Sequence, residues 1–222
     1  ELTRAVESGR ISEERIDQSV KRVLQLKQRQ HFNQPLCPWE QAREVLQMEE
    51  NQRFAQDASE KSITVIKDET HQLPLDRSKR TYVICPEIEA LNDADEQFQD
   101  EGTLASFLSQ AMNDVVERRI PASPGEKDIQ QVLRESASFD QVVALTYNTS
   151  QFQNQIKLVR RLLETRNGFV VTVAVRNPFD FRDFPEAPTQ VASYETRPLA
   201  MQSTAKVLTG EIEPNGKLPV NF

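Results

Sequence analysis

From residue 62 onward, short apolar runs alternate with stretches of helical periodicity, and no other feature of the chain limits its fold as strongly. Ser62-Ile63-Thr64-Val65-Ile66 turns β-branched directly after a helical stretch, which reads as a strand. Further strands are predicted over Thr81–Cys85, Val115–Arg119, Gln141–Tyr147, Phe169–Val175 and Gln190–Tyr194, with helices near 103–112, 126–136, 151–165 and 198–208 between them. Val142-Val143-Ala144-Leu145 and Phe169 to Val175 are apolar without interruption, as expected of strands covered on both faces. Strand and helix in repeated alternation, joined by right-handed crossovers, predict a three-layer α/β/α sandwich with a mostly parallel sheet.

A helical segment precedes that domain. Glu1 to Val6 reads as helix, and residues 11–30 form a second one. Ser12 is placed to cap it, Glu13 and Glu14 suit its first turn, and Lys27 and Arg29 suit its last. Ile16, Val20, Val23 and Leu24 recur at helical spacing as a narrow stripe, so this helix is expected to pack through one side only. His31 to Trp39 holds Pro35 and Pro38 and reads as a linker, and a further helix is expected over about 40–61. The predicted organisation is a helical segment and linker over 1–38 and an α/β domain over 39–222. The helical start without Met suggests that the chain begins inside a larger protein.

Charge and residue usage remove several function classes. The net charge of −7 comes from 34 acidic and 27 basic residues mixed along the chain, which argues against nucleic acid or an anionic membrane as partner. No apolar run approaches the roughly 18 residues a membrane span needs. The six glycines form no G-x-G-x-x-G, so the usual dinucleotide fingerprint is missing. Cys37 and Cys85 stand apart and supply neither zinc spacing nor a disulfide framework. No metal and no cofactor is expected. The closing G-E-I-E-P-N-G-K-L-P-V-N-F tempts a phosphate-loop reading. However, five residues rather than four separate Gly210 from Gly216, and Lys217 is followed by Leu218 instead of Ser or Thr. Pro214-Asn215-Gly216 reads better as a turn.

Ligands of open parallel sheets bind beyond the carboxyl ends of the strands, so those connections carry the candidate residues. They are Thr146 to Ser150, Arg176 to Glu186, and Tyr194 to Arg197. The second is long for such a connection, and long loops often carry function. Arg176, Asn177 and Asn148 are the predicted substrate-binding residues, suited to a polyhydroxylated ligand. Phe179, Phe181 and Phe184 either stiffen this site or plug the gap between sheet and helices. Asp180, after Pro-Phe, is expected to bond its own turn. His31 and His71 have no Ser, Cys or metal partner at a known spacing. Asp93, Asp95 and Glu96 read as a solvated loop. Glycoside hydrolysis needs two carboxyls flanking a bond about 5–10 Å apart, and nothing singles out such a pair, so no catalytic residue is assigned.

Several segments, taken together and in order, resemble one family. S-G-R-I-S-E-E-R-I-D-Q-S-V-K-R-V-L-Q-L-K, Ser8 to Lys27, is similar to the closing helix of the barrel domain in glycoside hydrolase family 3. A-S-E-K-S-I-T-V-I-K-D-E-T-H-Q-L-P-L, Ala58 to Leu75, resembles the opening of that family's second, α/β sandwich domain. Gly210 to Phe222 resembles its closing G-x-x-x-P-x-G-K-L-P segment. R-N-P-F-D-F-R-D-F-P-E and S-Y-E resemble the bacterial β-N-acetylglucosaminidase branch; residues 76–139 carry the least likeness. The resemblance implies an N-terminal (β/α)₈ barrel domain in the same polypeptide, holding the aspartate nucleophile and an Asp–His acid/base pair. It further implies retention of configuration, no cofactor, and a carbohydrate substrate ending in N-acetylglucosamine, from cell-wall muropeptides or chitooligosaccharides. Two alternatives stay open: a freestanding doubly wound small-molecule domain, although Ile66-Lys67-Asp68 carries no acid cluster, and a purely structural interaction domain.

Overall fold

The computed structural model describes residues 1–30, 35–87, 102–166 and 169–221. The run of Asp93, Asp95 and Glu96, and the first part of the 31–39 linker with His31, lie outside the described residues. Within the described residues the chain divides into two compact units, Glu1–Asn51 and Gln52–Phe222.

The first unit is helical: α1 Leu2–Glu7, α2 Glu13–Arg29 and α3 Trp39–Gln47. Ser12 caps α2 as its sequence predicts, its side chain accepting from the Arg15 amide. None of the α2 residues is buried, and Val20, Val23 and Leu24 of the stripe are exposed. The single helix expected over about 40–61 is instead two. Met48 leaves helical geometry at φ −57° and ψ 132°, and α4 runs Glu49–Ser62. The break is held by Asn51, whose side-chain amide donates to the Val45 carbonyl over 2.6 Å and satisfies a group the interrupted helix leaves open.

The second unit is the sandwich. Its strands are β1 Thr64–Asp68, β2 Thr81–Pro86, β3 Val115–Ile120, β4 Gln141–Thr146, β5 Val171–Ala174 and β6 Thr189–Ala192. They form one six-stranded sheet in the order β1-β6-β5-β4-β2-β3. All neighbouring pairs are parallel except β1 with β6. The helices are α5 Leu104–Ala111, α6 Glu126–Ser136, α7 Asn154–Thr165 and α8 Pro198–Leu208. Strand side chains alternate between two cores. Val83, Val143, Leu145, Val171 and Val173 join Leu104 and Leu108 of α5 and Met201 and Leu208 of α8. Tyr82, Ile84, Val142, Ala144 and Ala174 join Ile129 and Val132 of α6 and Leu158 and Leu162 of α7. Burial on both faces explains why these strands read as continuous apolar runs.

The closing segment is a turn against the sheet edge. The Gly216 amide donates to the Ile63 carbonyl over 3.1 Å, beside the start of edge strand β1. A Cβ there would lie 2.4 Å from the Ser62 carbonyl oxygen and 2.5 Å from that of Ile63, so the approach is closed to any side chain. Gly210 at the other end of the segment has φ +69°. Both glycines therefore serve a backbone path.

Candidate active-site edge

The parallel strands β4, β5 and β6 end along one edge of the sheet, and the three predicted residues stand on two adjacent connections there. Arg176 Nη1 donates to the Tyr147 hydroxyl over 2.6 Å, with its guanidinium carbon 5.4 Å from the Tyr147 ring centre. Asn177 Nδ2 donates to Asn148 Oδ1 over 2.7 Å. Arg176, Asn177 and Asn148 are thus brought together, each half-buried. Asn148 has φ 48°, a left-handed conformation that Asn tolerates better than most residues. After β6, Tyr194 has φ 63° and its hydroxyl donates to Thr64 Oγ1 over 2.9 Å. Bulky residues rarely take such angles, and strained backbone clusters at functional sites.

The loop after β5 is built by its own sequence. Pro178 starts a 3-10 helix, Pro178–Asp183, and Asn177 caps it, accepting from the Phe179 amide over 3.0 Å. The bond to its own turn expected of Asp180 is not formed; Asn177 makes the local bond, and Asp180 reaches the neighbouring loop instead. It is buried, and its Oδ1 accepts from the Thr149 amide at 3.0 Å and from the Thr149 hydroxyl at 3.1 Å. The same hydroxyl donates to Asp183 Oδ2 over 2.6 Å. One hydroxyl proton cannot serve two ionised carboxylates, so with Asp180 charged one of these contacts is without a proton. Burial pushes the Asp180 carboxyl above its ordinary value, opposed by the Thr149 bonds.

The phenylalanines divide between the two roles open to them. Phe181 and Phe184 are buried and meet edge to face at 6.1 Å, filling the space under the loop. Phe179 is exposed, with the Arg182 guanidinium 5.4 Å from its ring centre. Beneath the first loop, buried Gln155 of α7 accepts from the Tyr147 amide over 2.9 Å and donates to the Ala122 and Tyr147 carbonyls. Sequence reasoning missed Thr149, Gln155 and the direction of Asp180. Only Gln155 left a sign, since it occupies an inward position of the stripe Gln155, Leu158, Val159 and Leu162.

An open cleft of about 640 Å³ lies at the same edge, one connection further along. Tyr194, Glu195, Arg197, Gly216 and Lys217 contribute to its walls, whereas Arg176, Asn177 and Asn148 do not.

Comparison with known proteins assigns this architecture. Residues 63–222 match the model of the glycosyl hydrolase family 3 C-terminal domain. The chain belongs to glycoside hydrolase family 3. A solved family 3 β-N-acetylglucosaminidase from a Paenibacillus species is 37% identical, superposes with a TM-score of 0.79, and aligns over 97% of this chain and 41% of its own. The curated β-N-acetylglucosaminidase/β-glucosidase of Cellulomonas fimi is 24% identical over 229 residues, which is 97% of this chain and 40% of that protein. A β-glucosidase from Listeria innocua shares the fold at 18% identity with a TM-score of 0.65, aligning over 96% of this chain and 33% of its own. The chain therefore spans about two fifths of the length of its nearer family 3 relatives.

Proposed function

We propose that this family 3 domain serves a retaining β-N-acetylglucosaminidase. It contributes Arg176, Asn177 and Asn148 to the substrate cleft, while an N-terminal (β/α)₈ barrel of the same polypeptide supplies nucleophile and acid/base. One observation carries the reading. The R-N-P-F-D-F-R-D-F-P-E loop, which resembles the N-acetylglucosaminidase branch, stands at the carboxyl edge of the sheet with its two leading polar residues turned into a common cluster. The likeness at 37% identity to an N-acetylglucosaminidase supports the same branch. The sugar is a terminal N-acetylglucosamine, on cell-wall muropeptides or chitooligosaccharides, and its amide and hydroxyl groups match the amide and guanidinium donors here.

The test is hydrolysis of aryl N-acetyl-β-glucosaminides and aryl β-glucosides by the polypeptide that carries this chain. A higher kcat/KM on the N-acetylated substrate is expected. The 222 residues alone should give no turnover, because positioning groups without nucleophile or acid/base leave the chemical barrier near that in water. A preference for the glucoside would contradict the assigned branch. Turnover by the purified domain would contradict the division of labour.

A further inference from the structure

Three consecutive residues of the loop after β4 bond, one after another, to the loop after β5. Tyr147 accepts from Arg176, Asn148 from Asn177, and Thr149 meets both Asp180 and Asp183. Asn148, Asn177 and Arg176 are half-buried, whereas Tyr147 and Thr149 are buried. The third rung joins the Thr149 amide and hydroxyl to two carboxylates. It sits directly after Asn148, whose left-handed backbone must be held against its more populated alternatives. On the other side it grips the 3-10 helix whose first amide is capped by Asn177. Asp183 is anchored in turn, its backbone carbonyl accepting from Arg160 Nη2 of α7 over 2.7 Å.

We infer that Thr149, clamped by Asp180 and Asp183, is a positioning residue: it sets the distance and orientation of the Asn148–Asn177 pair without touching the sugar. This rests on the proposal that Asn148 and Asn177 bind substrate. A side chain that only fills space here would be replaceable by valine, which has the same shape. A positioning hydroxyl is not, because the valine methyl cannot bridge the carboxylates and leaves them facing an apolar group.

The test uses the whole polypeptide carrying this chain, with kcat and KM measured on an aryl N-acetyl-β-glucosaminide for Thr149→Val, Thr149→Ser, Asn177→Ala and the Thr149→Val/Asn177→Ala pair. Thr149→Val should lower kcat/KM about three- to ten-fold, the scale of one misplaced hydrogen bond. Thr149→Ser should restore it to within about two-fold, since its hydroxyl makes the same bonds. Added to Asn177→Ala, Thr149→Val should cost little more, because the group it positions is already gone. Effects that multiply in the double variant, or a Thr149→Val enzyme at parental kcat/KM, would overturn the inference while an impaired Asn177→Ala leaves the site reading standing. Asn177→Ala at parental kcat/KM would refute the site reading itself, and the inference with it. Should Thr149→Val not fold, Asp183→Ala cuts the 2.6 Å contact at a half-buried position, and the same loss and the same non-additivity are required of it.

Discussion

The two edges of this sheet use the same residue types to opposite ends. At the amino edge, Arg80 reaches across the starts of three strands. Its backbone amide donates to Asp140, its Nε to Asp114 and its Nη1 to the Ser138 carbonyl, while its guanidinium carbon lies 4.6 Å from the Phe139 ring centre. Gln141 and Asp76 exchange bonds beside it, the Asp76 amide donating to Gln141 Oε1 and Gln141 Nε2 to the Asp76 carbonyl. These bonds tie neighbouring strand entries together at exposed positions, where a charge pair contributes at most about 1 kcal/mol. At the carboxyl edge Asn148 and Tyr194 take left-handed backbone, as His71 does at the amino edge, but here the Asn148–Asn177 pair is half-buried and the Asp180 carboxyl is buried. One edge is organised for closure of the fold. The other holds half-buried polar pairs over a buried carboxyl, and it is the edge we propose for binding.

The comparison breaks most visibly at the support of the carboxyl edge. Phe184 is fully buried beneath the loop, so Phe184→Ala should destabilise the domain by about 3–5 kcal/mol. Arg80→Ala at the amino edge should cost about 1 kcal/mol or less. Denaturant unfolding of the protein that carries the chain reads both. Equal losses would mean that the two edges do not differ in how they are held.

A smaller effect sharpens the comparison through pH. The folded-state pKa of Asp180 lies above its unfolded value, chiefly through burial. The folded chain therefore holds this proton more tightly than the unfolded chain does. As pH falls from neutrality through that raised pKa toward the ordinary aspartate range, this group contributes increasing stability; above the raised pKa its charge is a cost. Asp180→Asn removes the titration, so the melting temperature of the parent should gain on that of Asp180→Asn as the medium is acidified. A difference independent of pH across that interval would show that Asp180 carries no such shift.

The inner strands were legible because they are covered on both faces, which leaves unbroken apolar runs such as Val142–Leu145 in the sequence, whereas edge strands β1 and β3 are only partly buried. The place of Arg176, Asn177 and Asn148 in the fold was legible for a related reason: the positions that follow strand ends can be counted once the strands are known. Thr149 was hidden because a Thr in a polar loop looks the same whether it faces water or two carboxylates. The turn role expected of Asp180 failed for a geometric reason. Asn177, at the capping position, reaches the Phe179 amide first and leaves Asp180 free to turn inward. The helix break at Met48 was equally invisible, since no Pro or Gly marks it and Asn51 closes it from the following helix.

The central claim is that the carboxyl edge meets substrate and the amino edge does not. Steady-state kinetics of Asn177→Ala, Arg176→Ala and Arg80→Ala in the polypeptide that carries this chain test it most directly. Each carboxyl-edge variant should lower kcat/KM on the N-acetylglucosaminide several-fold, roughly the 0.5–1.5 kcal/mol of a neutral hydrogen bond for Asn177 and more for the charged Arg176. Their melting temperatures should change little. Arg80→Ala should leave kcat/KM at the parental value. Parental kinetics for both Asn177→Ala and Arg176→Ala, or a loss in Arg80→Ala as large as theirs, would contradict the account.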